Sequence, residues 1–95
     1  MIVYLAGPMA GLPDKGREAF KAAEELLSKR GFTVLNPACL PDGLRPDAYM
    51  PICFAMIDAA DMLCMLDGWE DSKGAQLEYS YAAYQGKKAY PAALF

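Results

Sequence analysis

The chain holds no histidine, so the side chain that most often moves protons near neutral pH is absent. Carboxylates, tyrosines or thiols must carry any such chemistry. Two stretches gather residues of that kind beside glycine. One runs Tyr4-Leu5-Ala6-Gly7-Pro8-Met9-Ala10-Gly11, the other Gly68-Trp69-Glu70-Asp71-Ser72-Lys73-Gly74-Ala75-Gln76-Leu77-Glu78. In the second, Ser72 has the form of a helix N-cap, and Gly74 and Ala75 take bulk out of the first turn. Glu78 follows Gly74 by one turn on roughly the same face. A ligand approaching the backbone there would meet the Glu78 carboxylate, a group able to act as nucleophile or acid and base. By spacing alone, a capped helix packed on a sheet with a solvated glutamate is the commoner arrangement.

Neither stretch is a dinucleotide or Walker fingerprint. The first lacks GxGxxG and the second lacks GxxxxGK[ST], so no nicotinamide cofactor or P-loop nucleotide is expected. Cys39, Cys53 and Cys64 form no CxxC pair, and without histidine they suggest no metal centre. They read as reduced thiols in a cytoplasmic protein. No cofactor of any kind is implied.

These residues must be positioned by the elements around them. Ile2 to Ala6 is an apolar run broken by Gly7-Pro8, which suits a buried strand ending in a loop. Asp14 then caps a helix whose apolar stripe is Phe20, Ala23 and Leu27 with Ala19 and Leu26, ending at Lys29-Arg30-Gly31. Phe32 to Leu35 is a second strand, closed by Asn36-Pro37 and followed by a loop from Ala38 to Pro46. Asp47 is placed to cap a helix through Met50, Ile52, Cys53, Met56 and Ile57, which requires Pro51 in its first turn or a later start. Met62 to Leu66 is continuously apolar between Asp61 and Asp67, as a central parallel strand would be. The Gly68 to Asp71 loop leads into the helix capped by Ser72, which stops at Gly86, and Lys88-Ala89-Tyr90 is a last short strand. The alternation predicts an α/β fold: a three-layer flavodoxin- or Rossmann-like sandwich around a four-stranded parallel sheet in order 2-1-3-4. One domain spanning residues 1–95 is expected. Ligands of open α/β sheets bind beyond the carboxyl ends of the strands where the order switches, here between strands one and three. Both stretches above leave from those ends.

Composition narrows the partners. Of 95 residues, 55% are hydrophobic and 22% charged, close to ordinary globular usage. The net charge of -3, with lysines and arginines scattered, offers no basic stripe for duplex nucleic acid. The run from Ile2 to Ala6 is too short for a signal or membrane segment, so no membrane partner is expected. Trp69, Tyr79, Tyr81, Tyr84, Tyr90 and Phe95 make the second half aromatic-rich, which suggests a homo-oligomer, a dimer or higher.

Taken together, Tyr4-x-x-Gly7-Pro8-Met9, Ala60-Asp61 and Ser72-x-Gly74-x-x-x-Glu78 resemble the nucleoside 2-deoxyribosyltransferases and the related deoxynucleoside 5'-monophosphate N-glycosidases. They resemble still more closely small bacterial and phage proteins of unassigned function in that superfamily. The likeness runs from Ile2 to about Gly86. It implies that Glu78 attacks the anomeric carbon of a 2-deoxyribosyl group of a nucleoside or nucleotide, that the base leaves, and that water or a second base accepts the sugar. It implies that Tyr4 orients the glutamate, a role its place on strand one makes no more expected than that of a core aromatic. Gly7, Pro8, Met9, Ser72, Gly74 and Ala75 would then bind substrate. Serine at position 72 is what nucleotide-preferring members carry, where nucleoside-preferring ones carry aspartate. Ala10, however, stands where the monophosphate glycosidases have an arginine, leaving Lys15, Arg17 or Lys73 to compensate. Cys53, eight residues before Asp61, stands where the family has an aspartate that handles the proton of the departing base. That departure keeps open a second class of function, a catalytically weak nucleotide-binding or sensing module, and a ligand-free scaffold ranks third. Longer members continue past strand four with a helix and a tail that completes a neighbour's site; residues 91–95 either take that place here or fray as a free terminus.

Overall fold

The computed structural model describes residues 1–95, and three helices cover the two faces of a four-stranded, all-parallel sheet. The elements are β1 (Ile2–Ala6), α1 (Arg17–Lys29), β2 (Thr33–Leu35), α2 (Pro46–Ala59), β3 (Met62–Met65), α3 (Lys73–Tyr84) and β4 (Lys88–Pro91), with short 3₁₀ turns at Pro37–Cys39, Trp69–Asp71 and Ala92–Leu94. The sheet order is β2-β1-β3-β4, as the alternation of elements predicts. Val3 pairs with Val34 on one side and Met62 on the other, which makes β1 central.

Alternation along β1 divides the core in two, because successive side chains of a strand point to opposite faces. Val3 and Leu5 join Phe20 and Leu27 of α1, with Cys64 and Leu66. Tyr4 and Ala6 face the other way and join Cys53 and Ile57 of α2, Leu63 and Met65 of β3, and Ala82 of α3. A strand covered on both sides must be apolar throughout, which is why β1 and β3 read as unbroken apolar runs.

Two helix starts differ from their sequence expectations. Asp14 is not the N-cap of α1: its carboxylate accepts from Gly16 N at 2.9 Å and Glu18 N at 3.0 Å, but the capping residue is Gly16 and the helix begins only at Arg17. Gly16 lies between them with φ 77, and a Cβ there would stand 2.5 Å from the Pro8 carbonyl oxygen, so only glycine turns the chain at this point. Helix α2 starts at Pro46 rather than after an Asp47 cap, and Asp47 lies in its first turn. Proline is pre-set for that first position. Pro51 consequently sits inside the helix, and the carbonyl it leaves without a donor belongs to exposed Asp47, where water can take the place of the lost bond.

The far end of α2 is closed by a contact with no local signature. Lys87 Nζ donates to the carbonyls of Ile57, Asp58 and Ala60 at 2.6, 2.7 and 2.8 Å. A cation at a helix C-terminus satisfies orphan carbonyls and opposes the dipole. Residues 91–95 fold back on their own chain, with the Phe95 ring 5.7 Å from Phe32 and 6.3 Å from Tyr90. No helix is long and apolar enough to cross a membrane.

Candidate active site

The carboxyl ends of β1 and β3 are brought together by a single missing side chain. A Cβ on Gly7 would stand 2.8 Å from Leu66 Cβ, inside any tolerable contact, so glycine lets the first loop leave β1 pressed against the end of β3. The two chemistry-bearing stretches thereby converge on one cleft of about 800 Å³, within the range of small-molecule sites. Gly7, Pro8 and Met9 line it from one side and Ser72, Gly74, Ala75 and Glu78 from the other. The third wall is the loop between β2 and α2, chiefly Leu40, Pro41 and Leu44. A smaller hollow of about 360 Å³ beside α1 gathers surface charges such as Lys21 and Glu25, together with Arg17 and Cys39.

Glu78 is not solvated as the plain reading of its spacing has it. It is 5% exposed, and burial pushes its carboxyl up from 4.5 to about 7, against the pull of the Tyr4 hydroxyl and the Cys53 thiol that face it. Loss of water penalises the charged form more than two neutral dipoles restore it. Tyr4 and Cys53 are both fully buried and stand behind the cleft wall rather than in it. The Tyr4 hydroxyl makes no hydrogen bond of acceptable geometry, yet burial first and the Glu78 charge next hold it far above the ordinary tyrosine value. Burial likewise raises the Cys53 thiol, with Glu78 adding to the effect. Both groups therefore stay protonated at any physiological pH. Glu78 is the only carboxylate in this cluster: Asp58 instead accepts from Tyr81 Oη and Gln85 Nε2, each at 2.7 Å, and Asp61 from Ile2 N at 2.7 Å.

Ser72 is the N-cap of α3, its Oγ accepting from Ala75 N at 3.3 Å. The cap uses an oxygen lone pair, so the hydroxyl proton remains free to donate into the cleft. A Cβ added to Gly74 would meet nothing within 4 Å, so glycine leaves space there rather than relieving a clash. Lys15 and Arg17, considered above as anion partners, both reach the cleft but are paired with Asp42 at 2.8 and 2.5 Å. Lys73 also lines it, without an ion-pair partner.

Tyr49 was not singled out by the sequence. It lies one turn before Cys53 on α2, lines the cleft, and donates from Oη to Met9 Sδ at 3.0 Å. The i, i+4 spacing to Cys53 was a signal that both share a face, but its partner is 40 residues away in sequence.

No curated protein matches the sequence. Among solved structures the chain is similar to 2-desoxiribosyltransferase from Leishmania mexicana, with 23% identity and a TM-score of 0.77 over 95% of this chain and 62% of that one. It is also similar to the Clostridium botulinum CMP N-glycosidase BcmB, with 22% identity and a TM-score of 0.72 over 96% of this chain and 70% of that one. The chain thus spans less than two thirds of the transferase's length. At these identities the likeness shows a shared fold, the one that the sequence resemblance implied. The model of the family described as a domain of unknown function, DUF4406, matches residues 1–90, and the chain belongs to that family.

Proposed function

We propose that the chain cleaves the N-glycosidic bond of a deoxynucleoside or its 5'-monophosphate, passing the 2-deoxyribosyl group to water or to a second base. One observation carries the reading: a buried carboxylate, Glu78, at the inner wall of an open cleft, backed by two groups that burial keeps protonated. In the first step a Glu78 carboxylate oxygen bonds to the anomeric carbon while the bond to the base nitrogen breaks, its electron pair leaving with the base. In the second step water or another base attacks the same carbon, and the bond to Glu78 breaks to restore the carboxylate. On this reading the buried Tyr4 hydroxyl, unpaired in the resting site, turns to donate to the Glu78 carboxylate and holds its orientation. Gly74 and Ala75 leave room for the sugar, while the Ser72 hydroxyl and the first-turn N–H groups of α3 face an anionic substituent such as a 5'-phosphate. The deoxyribosyltransferase and CMP N-glycosidase that share the fold support a nucleoside or nucleotide substrate.

Incubation with a panel of deoxynucleosides and their 5'-monophosphates, followed by chromatography for free base, tests the proposal. Base release is expected, and Glu78→Gln should lower it by several orders of magnitude while binding survives. Release at the original rate by that variant rejects the role of Glu78.

A second reading, a nucleotide-binding module without turnover, is favoured by Cys53, whose thiol is held neutral where an ionisable acid would serve proton transfer. On that reading nucleotides bind but no base appears, and Cys53→Asp creates activity.

A further inference from the structure

Departure of a nucleobase leaves negative charge on the nitrogen that gave up the bond, and something in the cleft must meet it. Three protic side chains act on the Glu78 carboxyl or are acted on by it: Tyr4, Cys53 and Tyr49. Tyr4 and Cys53 have no exposed surface and cannot touch a base in the cleft. Tyr49, on α2, lines the same cleft as Ser72, Gly74 and Ala75 at the start of α3. Its present acceptor is the Met9 thioether, a weak one that also lines the cleft. Exchanging a thioether for an anionic nitrogen or a carbonyl oxygen gains hydrogen-bond strength.

We propose that Tyr49 is the contact for the departing base, its hydroxyl turning from Met9 Sδ to donate to the nitrogen or carbonyl oxygen on which charge collects. This deepens the glycosyl-transfer reading above and rests on it. The steps balance without an acid at position 53. The Glu78 oxygen bonds to the anomeric carbon as the base departs as an anion held by Tyr49. That anion takes a proton from a water molecule in the open cleft, and the hydroxide so formed attacks the anomeric carbon and releases Glu78. Tyr49 keeps its own proton throughout, in accord with its burial and the nearby thiol and carboxylate, which hold its hydroxyl well above the ordinary tyrosine value.

The test is Tyr49→Phe, assayed beside the unmodified chain on 5-substituted 2'-deoxyuridine 5'-monophosphates whose bases span a range of N1 acidity. One hydrogen bond to a developing charge predicts a loss of about ten- to a hundredfold in kcat/KM on the least acidic base. The loss should shrink as the base becomes a better leaving group, so the variant shows the steeper dependence on base acidity. A loss equal across the series, or none, overturns the proposal, since a merely structural tyrosine would not alter that slope. Glu78→Gln on the same series separates the two readings. If it is inactive while Tyr49→Phe is unimpaired, Tyr49 alone is wrong; if Glu78→Gln is fully active, the glycosyl mechanism itself is wrong. Should the unmodified chain release no base, calorimetric titration decides. Tyr49→Phe should then weaken deoxyuridine 5'-monophosphate severalfold without weakening 2-deoxyribose 5-phosphate, and equal effects on both ligands overturn the assignment.

Discussion

Burying Glu78 has a consequence for stability that can be measured without any substrate. Its carboxyl titrates near 7 in the folded chain and near 4.5 when the chain is unfolded. Between those values the folded chain holds a proton that the unfolded chain has lost, so stability falls as pH rises. The contribution is fully present below about 4.5 and is lost as pH rises through about 7. At about 1.4 kcal/mol per pH unit, the interval amounts to roughly 3 kcal/mol, a large share of the roughly 5–15 kcal/mol that holds a domain folded. Glu78→Gln keeps the shape and cannot ionise. Urea unfolding of both proteins from pH 5 to pH 8 should show Gln gaining on Glu by about 2–3 kcal/mol across the range, equivalent to a gap in Tm widening by roughly 10 °C or more. Because the difference between the two proteins is read against pH, other titrating groups and any fixed offset of the amide cancel. A gap that does not change with pH would show that the Glu78 carboxyl is hydrated in the folded state, and would remove the physical basis of its raised pKa.

The same carboxylate must be ionised to attack carbon, so kcat/KM for base release should climb through about pH 7 while stability declines, and a rate already flat from pH 5 upward would contradict this. Gly74→Ala adds a methyl that meets nothing within 4 Å, and in a helix it should stabilise by up to about 1 kcal/mol while lowering nucleotide affinity; unchanged affinity would place the sugar elsewhere. Lys87→Met strips the donor from three carbonyls at the end of α2 and should cost about 1–3 kcal/mol in urea unfolding, whereas no loss would mean water replaces the ammonium freely. Residues 48–57 of α2 hold no charge, and Ile52, Leu77 and Tyr84 are exposed on α2 and α3 at 38%, 54% and 93%. Light scattering should therefore return at least twice the 10.3 kDa of one chain, with Leu77→Glu reducing it, and a monomer at micromolar concentration refutes self-association.

The sheet was legible because its pattern is dictated by local burial. A parallel strand covered on both faces must be apolar at every position, and β1 and β3 are. Glu78 was visible as a residue type at a suggestive spacing, but its state was not, since a solvated and a buried glutamate have the same neighbours in sequence. What buries it arrives from β1 and α2, and only packing places Tyr4 and Cys53 against it. The start of α2 was misplaced because an aspartate cap and a first-turn proline are both good openings, and the structure uses the proline. The partners of Lys87 and Tyr49 were beyond reach for the same reason: they lie tens of residues away, on elements whose register the sequence does not encode locally.

These observations share one physical cause. The cleft's inner wall is the edge of the second hydrophobic cluster, and Glu78 is the one charge-bearing group admitted to it. An aspartate at position 53 would put a second carboxylate against the first, and two buried carboxylates cannot both ionise. One would be driven up to serve as an acid, at further cost to folding. A thiol at that place packs as a small hydrophobe and adds no second charge, so burial raises the carboxyl of Glu78 against the pull of the Cys53 and Tyr4 dipoles. The position thus exchanges acid strength for stability in a small domain that has little of the latter to spare. On the glycosyl-transfer reading, the leaving group is then met by a side chain that lines the cleft, as Tyr49 does.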